Sequence, residues 1–158
     1  MPYDLYNPST GLRLTFSRQF LLKALELAEL YGWQPRRTQP PAGIDFCALG
    51  ADWHGGYLTN DGQTVIASDA RWLAAALEGS LPDISDTSPP IDWDSARWTD
   101  DDLPEWLSPL ERAVMVEELQ DGFLDLLGLH PLEHFAGDEK IYLTKFIRFC
   151  CLGSFEIL

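Results

Sequence analysis

Apolar residues recur at helical spacing in four parts of the chain. In the first, Phe20 and Leu27 share one face of a predicted helix over residues 18–31. Ser17 is a preferred N-cap residue, and Gly32 stands where a helix commonly ends in the left-handed conformation. The pattern therefore predicts a well-buried helix with both ends specified locally.

Three further helices are predicted from the same spacing. The middle one is the clearest, because Pro109 occupies the first helical position and Glu111 closes a capping box with Ser108. The predicted spans and N-caps are 69–79 after Ser68, 109–127 after Ser108 and 139–152 after Asp138.

Strand patterns are shorter. Residues 3–6 and 12–16 flank a Pro/Gly turn and predict a small hairpin, and residues 155–158 predict a short terminal strand. Residues 57–66 fit either a hairpin or a loop that delivers Val65 to the core. We therefore expect one domain over residues 1–158 that is mainly α, with about four helices and minor β elements near the termini. A compact α+β domain is the second choice.

Several of these turn, cap and core positions form a wider pattern. It resembles the pattern of small uncharacterised bacterial cytosolic proteins, and the resemblance implies no activity and no functional residues. The matching residues are Gly32-Trp33, Pro35, Gly56-Tyr57, Asn60-Asp61-Gly62-Gln63, Val65, Asp69-Ala70, Leu73-Ala74, Ala76-Leu77, Phe146, Phe149, Gly153 and Phe155.

Composition narrows the function classes. The 158 residues include 25 acidic and 11 basic side chains, a formal net charge of −14, which disfavours binding to nucleic acid or to an anionic membrane. No apolar run reaches membrane-spanning length, and the first ten residues lack the features of a signal peptide. Cys47, Cys150 and Cys151 are typical of reduced thiols, so we expect a cytoplasmic protein.

Most of the excess charge lies in one segment. Residues 81–125 contain 13 acidic and two basic side chains. We call residues 80–106 the acidic strap, and its aromatic and acidic side chains suit a basic protein partner. The alternative is a solvated loop with buried tryptophans. The candidate contact residues are Trp93, Asp94, Trp98, Asp100, Asp101, Asp102 and Trp106.

A second candidate site surrounds Gly55-Gly56. An aromatic-flanked histidine and a nearby amide suit a pocket for a small ligand or peptide, whereas the alternative is a turn with aromatic residues packed under it. The candidate lining residues are Trp53, His54, Tyr57 and Asn60.

His130, Glu133 and His134 match the H-x-x-E-H pattern, in which two histidines on one helical turn bind Zn²⁺ and the glutamate acts as a base. Pro131 and Gly137 leave little room for that helix, and a loop or short helix with surface histidines is the preferred interpretation. We therefore predict a non-enzymatic protein without a cofactor that acts through protein–protein contact. The alternative is a metal-dependent hydrolase or ion-binding enzyme that uses these residues. The oligomeric state stays open.

Overall fold

The computed structural model describes residues 2–50, 52–88, 103–120 and 129–158. None of the helices in these ranges is long and apolar enough to cross a bilayer. The strands are β1 (Pro2–Tyr6), β2 (Arg13–Ser17), β3 (Gln63–Val65) and β4 (Phe155–Ile157). The helices are α1 (Arg18–Leu30), α2 (Ala67–Ser80), α3 (Pro109–Gln120), α4 (Pro131–His134) and α5 (Glu139–Cys151), and a 3-10 turn spans Leu81–Asp83.

The four strands form one antiparallel sheet in the order β2-β1-β4-β3. The prediction of a mainly α fold with minor β elements is therefore wrong, and the protein has a mixed α+β fold. The three-residue strands explain the error, because β3 and β4 each need a partner from a distant part of the chain to form.

Strand β4 holds the sheet together. Ile157 stands opposite Leu5 of β1 on one side and Gln63 of β3 on the other, and Phe155 stands opposite Val65. The predicted hairpin over residues 3–16 is confirmed, and so is the terminal strand. Residues 57–66 do not form a hairpin, because β3 pairs with β4 and places Val65 in the core without exposure.

Helix α1 begins and ends as its sequence predicts. The Ser17 hydroxyl oxygen accepts a hydrogen bond of 3.1 Å from the Phe20 backbone N–H. Gly32 has a φ of +95°, a left-handed conformation that suits glycine. The next backbone N–H, of Trp33, donates to the Ala28 carbonyl at 2.9 Å, and the indole is fully buried. The end of the helix thus folds Trp33 back into the core.

The predicted cap of α2 is at the wrong residue, and the predicted cap of α5 is at the right residue but makes no capping bond. The backbone is extended at Ile66 and helical from Ala67, so α2 starts before Ser68, whose hydroxyl does not cap it. The backbone of Asp138 is already helical, and its carboxylate makes no capping hydrogen bond to α5. Helix α2 packs against α1 and α5, and α1 packs against α4.

Helix α3 opens with the predicted capping box. The Glu111 backbone N–H donates to the Ser108 hydroxyl at 3.2 Å, and the Ser108 backbone N–H donates to Glu111 Oε2 at 2.9 Å. The last predicted turns of this helix, residues 121–127, lie outside the described residues.

Candidate functional site

A cleft of about 350 Å³ lies between the loop that precedes β3 and the start of α3. Its volume falls within the range of sites that bind small molecules. The lining residues are Pro35, Arg37, Trp53, His54, Gly55, Gly56, Tyr57, Trp106, Ser108 and Glu111.

A buried carboxylate anchors the aromatic base of the cleft. The Tyr57 hydroxyl donates to Asp69 Oδ2 at 2.6 Å, and the Trp33 indole N–H donates to Asp69 Oδ1 at 2.9 Å. Asp69 has no exposure, so both oxygens depend on these donors. Burial, and then the hydrogen bond to Asp69, raises the pKa of Tyr57 well above its ordinary value of 10.0, and the phenol stays protonated.

Three aromatic rings meet edge to face at this base. The centroids of Trp33 and Tyr57 are 5.3 Å apart, and those of Tyr57 and Trp106 are 5.9 Å apart. The Trp33 and Trp106 centroids are 6.1 Å apart. Such contacts hold the rings at fixed angles, so Tyr57 and Trp106 form a preorganised aromatic surface in the cleft.

Thr38 fixes the cleft wall that is formed by the loop preceding β3. Its buried hydroxyl accepts a hydrogen bond of 3.2 Å from the Trp53 indole N–H and donates one of 2.6 Å to the Gly55 carbonyl. A Cβ at Gly55 would lie 2.0 Å from the Trp53 ring. The close fit of ring and backbone therefore requires glycine there.

Gln63 fixes the rest of this loop from β3. Its side-chain amide donates to the Gly56 carbonyl at 2.8 Å and to the Thr59 hydroxyl at 2.9 Å. Its carbonyl oxygen accepts from the Asp61 backbone N–H at 2.9 Å. Because Gln63 is fully buried, these bonds order the turn that carries Tyr57 into the cleft.

Glu111 belongs to the opposite cleft wall, at the start of α3. Its carboxylate is the most unusual group in the site. Its side chain is 6% exposed, and Oε2 is occupied by the Ser108 backbone N–H. Oε1 is buried and accepts no hydrogen bond within the described part of the chain. A Cβ at Gly56 would lie 1.8 Å from Oε1, so this glycine lets the carboxylate approach the opposite wall. A buried acceptor without a donor costs about 1–3 kcal/mol or more when charged.

The structure brings together parts of two of the three predicted sites. Trp53, His54 and Tyr57 line the cleft, and Trp106 from the acidic strap joins them. Asn60 is exposed and does not line it. The remaining strap candidates lie outside the described residues: Trp93, Asp94, Trp98, Asp100, Asp101 and Asp102.

Arg37 and Glu111 also line the cleft, and neither was predicted to do so. The capping-box pattern identified Glu111, but it assigned that side chain only a helix-starting role. The pattern contains no sign that a distant glycine packs on the same carboxylate.

The H-x-x-E-H residues lie elsewhere. His130 is the N-cap of α4, and its Nδ1 accepts a hydrogen bond of 3.2 Å from the Leu132 backbone N–H. The His134 ring packs edge to face on Phe135, with centroids 4.8 Å apart. Across residues 2–50, 52–88, 103–120 and 129–158, no group of three or more His, Cys, Asp or Glu side chains is arranged to hold a metal ion.

No family model matches the chain, and searches of curated proteins and of solved structures also found no match. The resemblance to small bacterial proteins stays a prediction.

Proposed function

We propose that this protein is a binding protein whose cleft takes up a positively charged organic group, an ammonium or a guanidinium. The observation that carries the proposal is the buried, unpartnered Oε1 of Glu111, a residue that lines the cleft. Oε1 lies against Gly56, so the carboxylate turns toward the cleft to meet a cationic donor. The charge-assisted hydrogen bond formed there replaces an unsatisfied acceptor.

The aromatic side chains support the same ligand chemistry. Trp53, Tyr57 and Trp106 line the cleft beside Glu111. Aromatic faces attract cations, and the attraction is strongest where water is excluded. The net charge of −14 adds a long-range attraction that speeds the approach of a cation.

Two sources supply such a group: a free amine, or a lysine or arginine side chain of a basic partner protein. The second source continues the prediction that the acidic strap binds a basic protein, because Trp106 belongs to both the strap and the cleft. A cytoplasmic location is proposed with it, on the three free cysteines.

The test is a fluorescence titration with butylammonium and butylguanidinium, read through the tryptophans of the cleft. Glu111→Gln keeps a side chain that serves in a capping box, so the fold survives and only the charge is lost. We expect this variant to weaken binding about tenfold or more. Glu78→Gln, which removes the same charge from an exposed position on α2, is the matched control and should change affinity less than about twofold.

A basic peptide with several lysines and arginines forms the second arm of the experiment. Tighter binding of the peptide than of either small cation indicates a protein partner, whereas equal binding indicates a free amine. If neither cation nor peptide binds, or if Glu111→Gln binds them as the parent does, the proposed function is wrong.

A further inference from the structure

The cleft also contains the positively charged side chain of Arg37, for which a purely cationic ligand offers no partner. Arg37 lines it, is exposed, and forms no ion pair with any residue that the structure describes. Its φ of +74° is left-handed, the only such value at a non-glycine residue in the described ranges. For arginine this conformation costs about 1–3 kcal/mol, and the surrounding structure must hold it.

The neighbours of Arg37 do hold it. On one side, the Arg36 backbone N–H donates to the Tyr57 hydroxyl at 3.0 Å. The Arg36 guanidinium lies 4.8 Å from the centre of the Trp72 ring. On the other side Thr38 is buried and bonded to Gly55. Two adjacent arginines thus have different roles, since Arg36 packs against α2 while Arg37 is left to line the cleft.

Arg37 and Glu111 bring opposite charges to one cleft without pairing with each other. Glu111 offers an acceptor that lacks a donor, and Arg37 offers several donors. A ligand with only a cation satisfies the first group and is repelled by the second. A ligand with both charges satisfies the two together.

We propose that the ligand is a small zwitterion, a free α-amino acid, whose ammonium group binds Glu111 and whose carboxylate binds Arg37. Guanidinium and carboxylate groups match geometrically and form paired hydrogen bonds. The aromatic rings of Trp53 and Trp106 supply apolar surface for the side chain of the amino acid. This inference rests on the proposed function and adds the carboxylate.

The experiment compares free phenylalanine, leucine and lysine with their α-amides, which keep the ammonium group but lack the carboxylate. Tryptophan fluorescence again reports binding. We expect the best free amino acid to bind about tenfold or more tightly than its own amide. Arg37→Gln should bring this ratio to about one, whereas Arg71→Gln, at an exposed position on α2, should leave it unchanged.

The outcomes separate the two proposals. If the amides bind through Glu111 and the free acids bind no better, the zwitterion is wrong and the cation site stands. A preference for the free acid that survives Arg37→Gln also overturns the assignment to Arg37. Because the Arg37 side chain is exposed, we expect the Arg37→Gln chain to fold like the parent. Unchanged circular dichroism and an unchanged melting temperature check this.

Discussion

Replacing Tyr57 by phenylalanine tests the buried base of the cleft. The hydroxyl donates to Asp69 Oδ2 and accepts from the Arg36 backbone N–H, and Tyr57 is only 3% exposed. The substitution keeps the ring and leaves a buried carboxylate oxygen without its donor. Hydrogen bonds to charged groups contribute about 1.5–3 kcal/mol, so we expect a loss of about 2–3 kcal/mol in the free energy of unfolding.

Urea denaturation measures this loss at neutral pH. For a chain of this size, the expected destabilisation lowers the melting temperature by about 5–10 °C. Tyr142→Phe is the matched control, because Tyr142 is 46% exposed and surface changes stay within about 0.5 kcal/mol. If Tyr57→Phe is as mild as Tyr142→Phe, the hydroxyl does not stabilise Asp69 and the described network is wrong.

The pH dependence supplies a second check on the same residue. The pKa of Tyr57 is raised on folding, so its protonated form stabilises the fold fully below the ordinary value of 10.0. As the pH rises above that value, the unfolded chain loses the proton first and the stabilisation falls by about 1.4 kcal/mol per pH unit. The stability gap between the parent and Tyr57→Phe should therefore narrow above pH 10. A gap that stays constant to pH 11 contradicts this assignment.

Three further substitutions test the fold and the cleft. Ser17→Ala removes the cap of α1 and should cost about 1 kcal/mol in urea denaturation, and no change would refute the capping role. Leu5→Ala empties a fully buried site in β1 and should cost about 2–5 kcal/mol by the same assay, whereas a loss below 1 kcal/mol would contradict its core position. Gly56→Ala places a methyl group 1.8 Å from the position of Glu111 Oε1 and overpacks the cleft, so we expect weaker binding of butylammonium and a loss of about 1–3 kcal/mol in stability. Undiminished binding would show that Glu111 does not need that position.

The ends of α1 follow from the local sequence, whereas the start of α2 does not. Ser17 and Gly32 fixed the ends of α1 from short-range chemistry, since a hydroxyl cap and a left-handed glycine act within one helical turn. The prediction that Ser68 caps α2 is wrong because long-range strand pairing sets the start of this helix. The short connection from β3 forces the chain into α2 at Ala67, and the pairing of β3 with β4 decides where that connection starts.

Local sequence thus determined the approximate positions of the four longer helices, the first hairpin, the capping box at α3 and the aromatic group at Trp53 and Tyr57. The tertiary structure alone decided the sheet order and the cleft. Strand β4 joins β1 to β3 across most of the chain, and the Glu111 carboxylate meets Gly56 across 55 positions of sequence. Periodicity and capping report interactions between near neighbours, whereas an unpaired oxygen beside a distant glycine exists only after the elements have packed.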